Sequence, residues 1–195
     1  MIQFQHEIII YKEDMDRLIA LGEGKTKLMD NIRKGPAVIF REDRDIVGVI
    51  PEFAFAEAYG PVFGVKMNWN PEAHPAGDGG IDYIVNGWTV DAKYLEDYYR
   101  YITVQQYKSK ADIYVWCRYD KYRQLAILLG FEFGKIMETM PTDEFGKGQK
   151  PAHRKNRDLI RSMDDLDKLF LFGKKEYSIE QHLARISPKR VLLTE

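Results

Sequence analysis

Hydrophobic and polar positions in the first third of the chain predict one strand followed by helices. Residues 2–11 alternate and then become apolar, which is typical of a short opening strand at a sheet edge. Apolar residues recur at roughly helical spacing over 14–33, but Gly22 and Gly24 interrupt them, so we expect one broken helix or two short ones. Residues 47–60, rich in alanine and aromatic side chains, predict a buried helix that stops at Gly60.

The rest of the chain predicts a series of strands and a final helix. Residues 60–80 are rich in glycine and proline, which is typical of a surface loop. Residues 141–157 are polar and contain many breakers, whereas residues 158–172 have helical spacing. Four runs of alternating or concentrated β-branched and aromatic residues predict strands at 81–85, 88–93, 111–118 and 125–133.

Composition and charge exclude several classes of protein. A chain of 195 residues with 45% hydrophobic residues has the size and apolar content of one globular domain. The formal net charge of -1 excludes nucleic-acid binding on overall charge, so such binding requires a local basic patch. The single cysteine, Cys117, excludes an intramolecular disulfide framework. The chain shows neither a long apolar run nor a signal-peptide start, and we expect a cytoplasmic protein.

A predicted β-hairpin carries the most informative chemistry. Asn86 and Gly87 lie between two alternating runs, and this pair favours a two-residue type I′ turn because both turn positions need positive φ. That turn places Asp82 opposite Asp91 and puts both carboxylates on one face with Lys93. The other face is apolar and consists of Tyr83, Val85, Trp88, Val90 and Ala92.

The two facing carboxylates require a compensating charge. Directly opposed like charges destabilise a strand pair, and Lys93 offsets only part of the charge of Asp82 and Asp91. We therefore expect that Asp91→Ala would raise stability in metal-free buffer. An oxygen-seeking cation, Mg²⁺ or Mn²⁺, would supply the remaining positive charge. Two carboxylates, a divalent cation and a lysine suit phosphodiester hydrolysis. A surface hairpin with solvated charges is the alternative interpretation.

The same residues resemble the PD-(D/E)XK nuclease superfamily over residues 45–135. Its pattern is an Asp followed by an Asp/Glu-x-Lys triplet, as in Asp82 and then Asp91-Ala92-Lys93 after eight intervening residues. The helix that often precedes this hairpin is similar to residues 48–56, in which Glu52 is the matching position. Ile81 stands where the family has proline. Bacteriophage members commonly share the helix pattern and the glycine-rich approach at 77–82, so the resemblance suggests a phage origin and a host-cytoplasm location.

The resemblance implies a fold and a set of site residues. The expected fold is α/β with a restriction-endonuclease-like core, a mixed β-sheet flanked by helices. We expect a single domain over 1–195, with helical elaborations at about 12–45 and 141–195. The implied catalytic residues are Asp82, Asp91, Lys93 and Glu52, and the implied metal ligands are Asp82, Asp91 and Glu52. Glu57 is five residues from Glu52 and would point about 140° away from it on a helix, so we expect it to be solvated.

Weaker motifs favour ordinary structural roles. Gly22 to Thr26 resembles half of a phosphate-binding loop, but position 19 is Ile19 where that motif needs glycine. The four histidines show no metal-ligand spacing. Cys117 lies in an apolar run, which predicts a buried structural thiol.

Two segments carry candidate nucleic-acid contacts. The stretch 147–157 contains no acidic residue and predicts a phosphate-contacting loop, with a solvated linker as the alternative. Its candidate contacts are Lys147, Lys150, Arg154, Lys155 and Arg157. A tyrosine cluster follows the triplet and suits either stacking on unpaired bases or covering the sheet, at Tyr94, Tyr98, Tyr99, Tyr101 and Tyr107.

The sequence as a whole predicts a metal-dependent deoxyribonuclease with DNA as its partner. The alternative is a binding protein of the same fold that holds nucleic acid or a partner without cleaving it. A tRNA-directed or junction-directed enzyme would share the site. The oligomeric state is open, a homo-oligomer included.

Overall fold

The computed structural model describes residues 4–32, 48–70, 81–106, 111–143 and 151–173. Its helices are α1 (Lys12–Ile32), α2 (Ile50–Phe63), α3 (Gly134–Thr139) and α4 (Met163–Phe172). Its strands are β1 (Glu7–Ile9), β2 (Tyr83–Val85), β3 (Trp88–Tyr94), β4 (Tyr101–Gln105), β5 (Ile113–Asp120), β6 (Leu125–Phe133), β7 (Thr142–Asp143) and β8 (Ala152–Asn156).

The strands form two sheets. The larger sheet has five strands in the order β1-β6-β5-β3-β2, and the smaller has three in the order β4-β8-β7. In the larger sheet β3 and β5 are parallel, while its other neighbouring strands are antiparallel. The chain therefore has a mixed α/β fold with a mixed sheet flanked by helices, and β1 lies at a sheet edge as predicted.

Helix α2 packs against one face of the larger sheet because almost all of its residues are apolar. Phe55 and Tyr59 are fully buried, and the Phe55 ring stacks on Tyr83 of β2 at a centroid distance of 5.1 Å. Phe170 of α4 meets Tyr59 edge to face at 5.3 Å. Burial of each large aromatic side chain contributes roughly 1.5–3 kcal/mol. This aromatic layer fixes α2 over the β2–β3 hairpin.

The smaller sheet covers the opposite face of the larger one. Successive side chains of a strand point to opposite faces, and β5 is buried on both. Its residues Ile113 and Val115 belong to the same core cluster as α2. Tyr114 and Trp116 instead pack with a second cluster that includes Ile102 of β4. The molecule thus has a helix layer, a central mixed sheet and a small second sheet.

Three helices differ in extent from their predicted bounds. Helix α4 begins at Met163, five residues later than the predicted 158, and the Ser162 side chain caps it by accepting from the Asp165 N–H. Helix α1 runs without a break through Gly22 and Gly24. Helix α2 continues past Gly60 and ends at Gly64, which adopts a left-handed φ of 71° and donates its N–H to the carbonyl of Gly60. A Cβ on Gly60 would lie 2.8 Å from the carbonyl oxygen of Val65, so this glycine permits a close chain approach after the helix instead of ending it.

The smaller sheet was not predicted. Residues 101–105 form β4, although the local sequence indicates only part of an aromatic cluster. Residues 152–156 form β8, which pairs with β4 along its whole length. The polar, breaker-rich sequence of 141–157 instead predicts an irregular segment, and the predicted helical C-terminal elaboration is wrong here. Residues 33–45 of the N-terminal elaboration and residues 174–195 lie outside the described residues. Within the described residues, no helix has both the length and the apolar character needed to cross a membrane.

Candidate functional site

The hairpin has the turn and register that the sequence predicts. Asn86 and Gly87 have φ values of 48° and 84°, the positive region that a type I′ turn requires. Val85 pairs with Trp88, and Tyr83 pairs with Val90. The Asn86 side chain also donates to the carbonyl of Phe170 at 2.6 Å, which ties the turn to the end of α4.

Asp82 holds the hairpin together at the point where regular strand pairing ends. The backbone N–H of Asp82 donates to the Val90 carbonyl at 2.8 Å. Its carboxylate Oδ2 accepts the N–H of Ala92 at 2.7 Å. In an uninterrupted ladder a backbone carbonyl would accept that N–H. The predicted direct opposition of Asp82 and Asp91 is wrong: regular pairing begins at Tyr83, and the Asp82 carboxylate is bound to the N–H of Ala92, the residue between Asp91 and Lys93.

Asp91 and Lys93 lie on the face of the sheet opposite to α2, as strand alternation predicts. Asp91 is only 4% exposed, and its Oδ2 lies 2.6 Å from the Lys93 ammonium nitrogen. Their partners on β5 are Tyr114 and Trp116, which are both buried. The Lys93 ammonium also lies 5.5 Å from the centre of the Tyr114 ring. Two aromatic side chains therefore shield this ion pair from water on one side.

Glu52 lies in the first turn of α2, where the helix dipole favours a negative charge. Both of its carboxylate oxygens accept from the Lys25 ammonium at 2.9 Å. The Tyr83 hydroxyl donates to the Glu52 carbonyl at 2.8 Å. Burial and then the charges of Glu52 and Asp82 raise the pKa of Tyr83. The Tyr83 side chain thus contacts Glu52, while its backbone follows directly after Asp82. Glu57 is exposed, as predicted.

Lys25 is a charged partner of Glu52 that no sequence motif indicates. It belongs to the segment that resembled half of a phosphate loop, and in the structure it lies on α1 with its ammonium on Glu52. No local pattern joins position 25 to position 52, since the contact depends on how α1 packs beside α2. The candidate set therefore contains three carboxylates, on Glu52, Asp82 and Asp91, and two ammonium groups, on Lys25 and Lys93. Glu52 and Lys25 lie on the α2 side of the sheet, whereas Asp91 and Lys93 lie on its other face.

The candidate nucleic-acid contacts have different surroundings. Lys147 and Lys150 lie outside the described residues. Arg154 pairs with Asp143 at 2.6 Å, and Arg157 donates to the backbone carbonyls of two loop residues, Asp97 and Tyr99. The Lys155 ammonium pairs with Glu132, so it points inward.

Glu132 is a buried carboxylate that the sequence analysis did not single out. It has no exposed surface and accepts from the Lys155 ammonium, from Arg161 Nε at 3.1 Å and from the Phe133 N–H at 3.0 Å. Its cross-strand partner is Tyr114, the same residue that lies beside Asp91. A charged pair therefore joins β6 of the larger sheet to β8 of the smaller sheet.

A second group of titratable side chains lies near β1, at the sheet edge opposite β2. His6 Nε2 is 3.1 Å from the Asp167 carboxylate, and the Tyr59 hydroxyl donates to Asp167 at 2.8 Å. One ligand atom each from His6, Asp164 and Asp167 lies within 4.8 Å of the others. Sequence spacing did not indicate this group because its histidine and its aspartates come from opposite ends of the described chain.

Comparisons of the chain with protein-family models, with curated proteins and with solved structures find no match.

Proposed function

We propose that the protein is a Mg²⁺-dependent nuclease that hydrolyses phosphodiester bonds in DNA. The observation that supports this most is the bond from the Asp82 carboxylate to the Ala92 N–H, at the centre of the Asp91-Ala92-Lys93 triplet. It gathers two carboxylates and one ammonium group within three residues of β3. A strand pair does not need a carboxylate to accept the Ala92 N–H, because a backbone carbonyl can do so.

The donor chemistry of the set fits a divalent cation. Carboxylate oxygens are the protein ligands that Mg²⁺ and Mn²⁺ prefer, and Asp82 and Asp91 would supply them. Glu52, the third ligand that the resemblance implies, lies on α2 at the other face of the sheet from Asp91 and is bound to Lys25. Asp82 and Asp91 carry one more charge than Lys93 offsets, so these three residues favour a further cation. Such an ion would polarise a phosphoryl oxygen and lower the pKa of a bound water.

Lys93 performs two tasks in the proposed reaction. Its ammonium group orients the attacking water and stabilises the negative charge that develops on the phosphoryl oxygens. The oxygen of that water bonds to phosphorus and releases a proton, while the bond from phosphorus to the leaving sugar oxygen breaks and that oxygen takes up a proton. The products are a phosphate monoester and a free hydroxyl group. Asp91 fixes the position of Lys93 through the 2.6 Å ion pair.

A binding protein of the same fold is the second candidate, and one observation favours it. Each carboxylate of the set already has a protein partner: Lys25 for Glu52, the Ala92 amide for Asp82 and Lys93 for Asp91. Such pairs also stabilise a fold that performs no hydrolysis. The two candidates differ in one measurable respect, since only the nuclease consumes its substrate.

The test is cleavage of labelled linear, circular and branched DNA in Mg²⁺, with chelator as the blank. We expect cleavage by the unaltered chain and its loss in Lys93→Ala, because the variant lacks the ammonium that stabilises the developing charge. Lys168→Ala is the matched control, since this lysine is 63% exposed on α4 and takes no part in the set. Circular dichroism checks that both variants fold.

Two outcomes contradict the proposal. Cleavage at the unaltered rate by Lys93→Ala removes the lysine from the mechanism. Binding of DNA without any cleavage in Mg²⁺ or Mn²⁺ favours the binding protein.

A further inference from the structure

Three exposed tyrosines form a surface directly after the candidate site. Tyr98, Tyr99 and Tyr101, which we call the tyrosine platform, have exposed fractions of 65%, 48% and 37%. The rings of Tyr98 and Tyr99 lie 4.6 Å apart. Tyr98 follows Lys93 by five residues along the chain, so the platform begins where β3 leaves the sheet.

The loop that carries the platform is anchored at both ends. Leu95 is buried, and its N–H donates to the Cys117 carbonyl at 2.8 Å. At the other end the N–H of Arg157 donates to the carbonyl of Arg100 at 3.0 Å. These backbone bonds tie the loop from β3 to β4 to strand β5 at one end and to the residue after β8 at the other.

Arginine side chains fix the middle of the same loop. The Arg157 guanidinium donates to the Asp97 carbonyl at 2.8 Å, and Arg118 pairs with the Asp97 carboxylate at 2.8 Å. The second pair also offsets the acidic charge within the loop. The tyrosine rings are therefore presented by an ordered backbone, and little conformational entropy is lost when a ligand stacks on them.

Cationic groups lie beside the platform. The guanidinium carbons of Arg154 and Arg100 are 5.1 and 5.9 Å from the centre of the Tyr101 ring. Arg154 also pairs with Asp143, whereas among the residues that the structure describes no carboxylate pairs with the exposed Arg100. The surface thus combines aromatic rings with an available positive charge.

We propose that the tyrosine platform binds an unpaired nucleic-acid strand. Aromatic side chains stack on single bases, and arginines beside them contact the phosphates. A duplex conceals its base faces within the helical stack, so the platform favours unpaired bases. The inference rests on the proposed function and makes it more specific, because it names an unpaired strand as the substrate class.

The experiment measures the dissociation constant of a fluorescent oligothymidylate of about 15 nucleotides, by anisotropy in chelator, where no cleavage occurs. Tyr98→Ala/Tyr99→Ala should raise the constant at least about fivefold, since stacking contributes about 1–3 kcal/mol per base. Tyr98→Phe/Tyr99→Phe should retain binding because the ring remains. Tyr122→Ala is the matched control, since Tyr122 is fully exposed in the turn between β5 and β6 and lies outside the platform.

Further binding measurements identify the ligand. A duplex of equal length should bind more weakly than the single strand. Arg100→Ala should reduce the slope of log affinity against log salt by about 0.7, the value for one phosphate contact on a single strand. Tyrosine-dependent binding of either oligothymidylate or oligouridylate supports the inference, since bases are common to both.

The inference fails if the unaltered chain binds neither oligomer, if the alanine pair binds as well as the control, or if duplex binds more tightly than single strand. A platform that instead docks a protein would give the first of these results. Failure of the nuclease proposal gives a different result. If the chain binds single strands through its tyrosines but never cleaves them, the platform inference stands and the nuclease proposal fails.

Discussion

Asp91 and Lys93 show how a local ion pair changes the effect expected of a substitution. The sequence suggests that Asp91→Ala would relieve repulsion from Asp82. In the structure the Asp91 carboxylate is buried against the Lys93 ammonium, and Asp82 is satisfied by the Ala92 amide. Removing Asp91 would therefore leave the half-buried Lys93 ammonium without this carboxylate. The structure thus predicts that Asp91→Ala lowers the free energy of unfolding, whereas the sequence suggests an increase.

Asp91→Ala should lower the free energy of unfolding by about 1–3 kcal/mol, measured from urea transitions in chelator. Asp143→Ala is the matched control, since Asp143 forms an ion pair of the same length with Arg154 but is 45% exposed. We expect that control to change stability by less than about 1 kcal/mol. Equal losses in the two variants would show that burial of Asp91 is not what makes its pair important.

Cys117 gives a prediction about pH. Burial raises the pKa of its thiol to about 12, and a backbone hydrogen bond offsets this only in part. The thiol should therefore resist a disulfide reagent at about pH 8 in the folded chain and react after unfolding. Because the folded pKa lies above the ordinary value of 9.0, the stability that the neutral thiol provides is present below pH 9 and is lost as pH rises towards 12. Rapid reaction of the native chain would contradict the burial.

At the scale of elements, the hairpin depends on its turn residues. Gly87 has a φ of 84°, which costs a side-chain-bearing residue about 1–2 kcal/mol. Gly87→Ala should lower stability by that amount in urea unfolding. In Gly48→Ala the added Cβ meets no atom within 4 Å, so this control should change stability little. A neutral Gly87→Ala would contradict the type I′ turn.

Local sequence signals predicted the hairpin but not the smaller sheet. The turn pair and the alternation around it determine the register from Tyr83 to Val90, and both lie within a few residues. Strand β8 is largely polar in sequence, with His153 and Arg154 opposite Val104 and Thr103 of β4. Its strand conformation comes from pairing with a segment about fifty residues away, which no local pattern reveals. For the same reason Lys25 and Glu132 were not identified as charged partners.

At the scale of the whole molecule, Glu132 links the two sheets through its ion pair with Lys155. It also pairs with Arg161, which lies just before α4. Glu132→Gln should lower the free energy of unfolding by about 3–5 kcal/mol, because it leaves two partly buried cations without their shared carboxylate. Hydrogen exchange of the β8 backbone amides should also become faster in this variant. Glu138→Gln, an exposed change on α3, is the control. A loss below about 1 kcal/mol would contradict the role of Glu132 as the link between the sheets.

The position of Asp82 has a practical consequence for how inactive variants are interpreted. One oxygen of this carboxylate takes the place of a main-chain acceptor. Asp82→Ala would therefore remove a hydrogen bond that holds the start of the hairpin, as well as a proposed metal ligand. Loss of cleavage in that variant would mix a structural defect with a chemical one. In the described contacts the Lys93 ammonium bonds to no backbone atom, so a Lys93 variant shown to be folded is the better one on which to judge the chemistry.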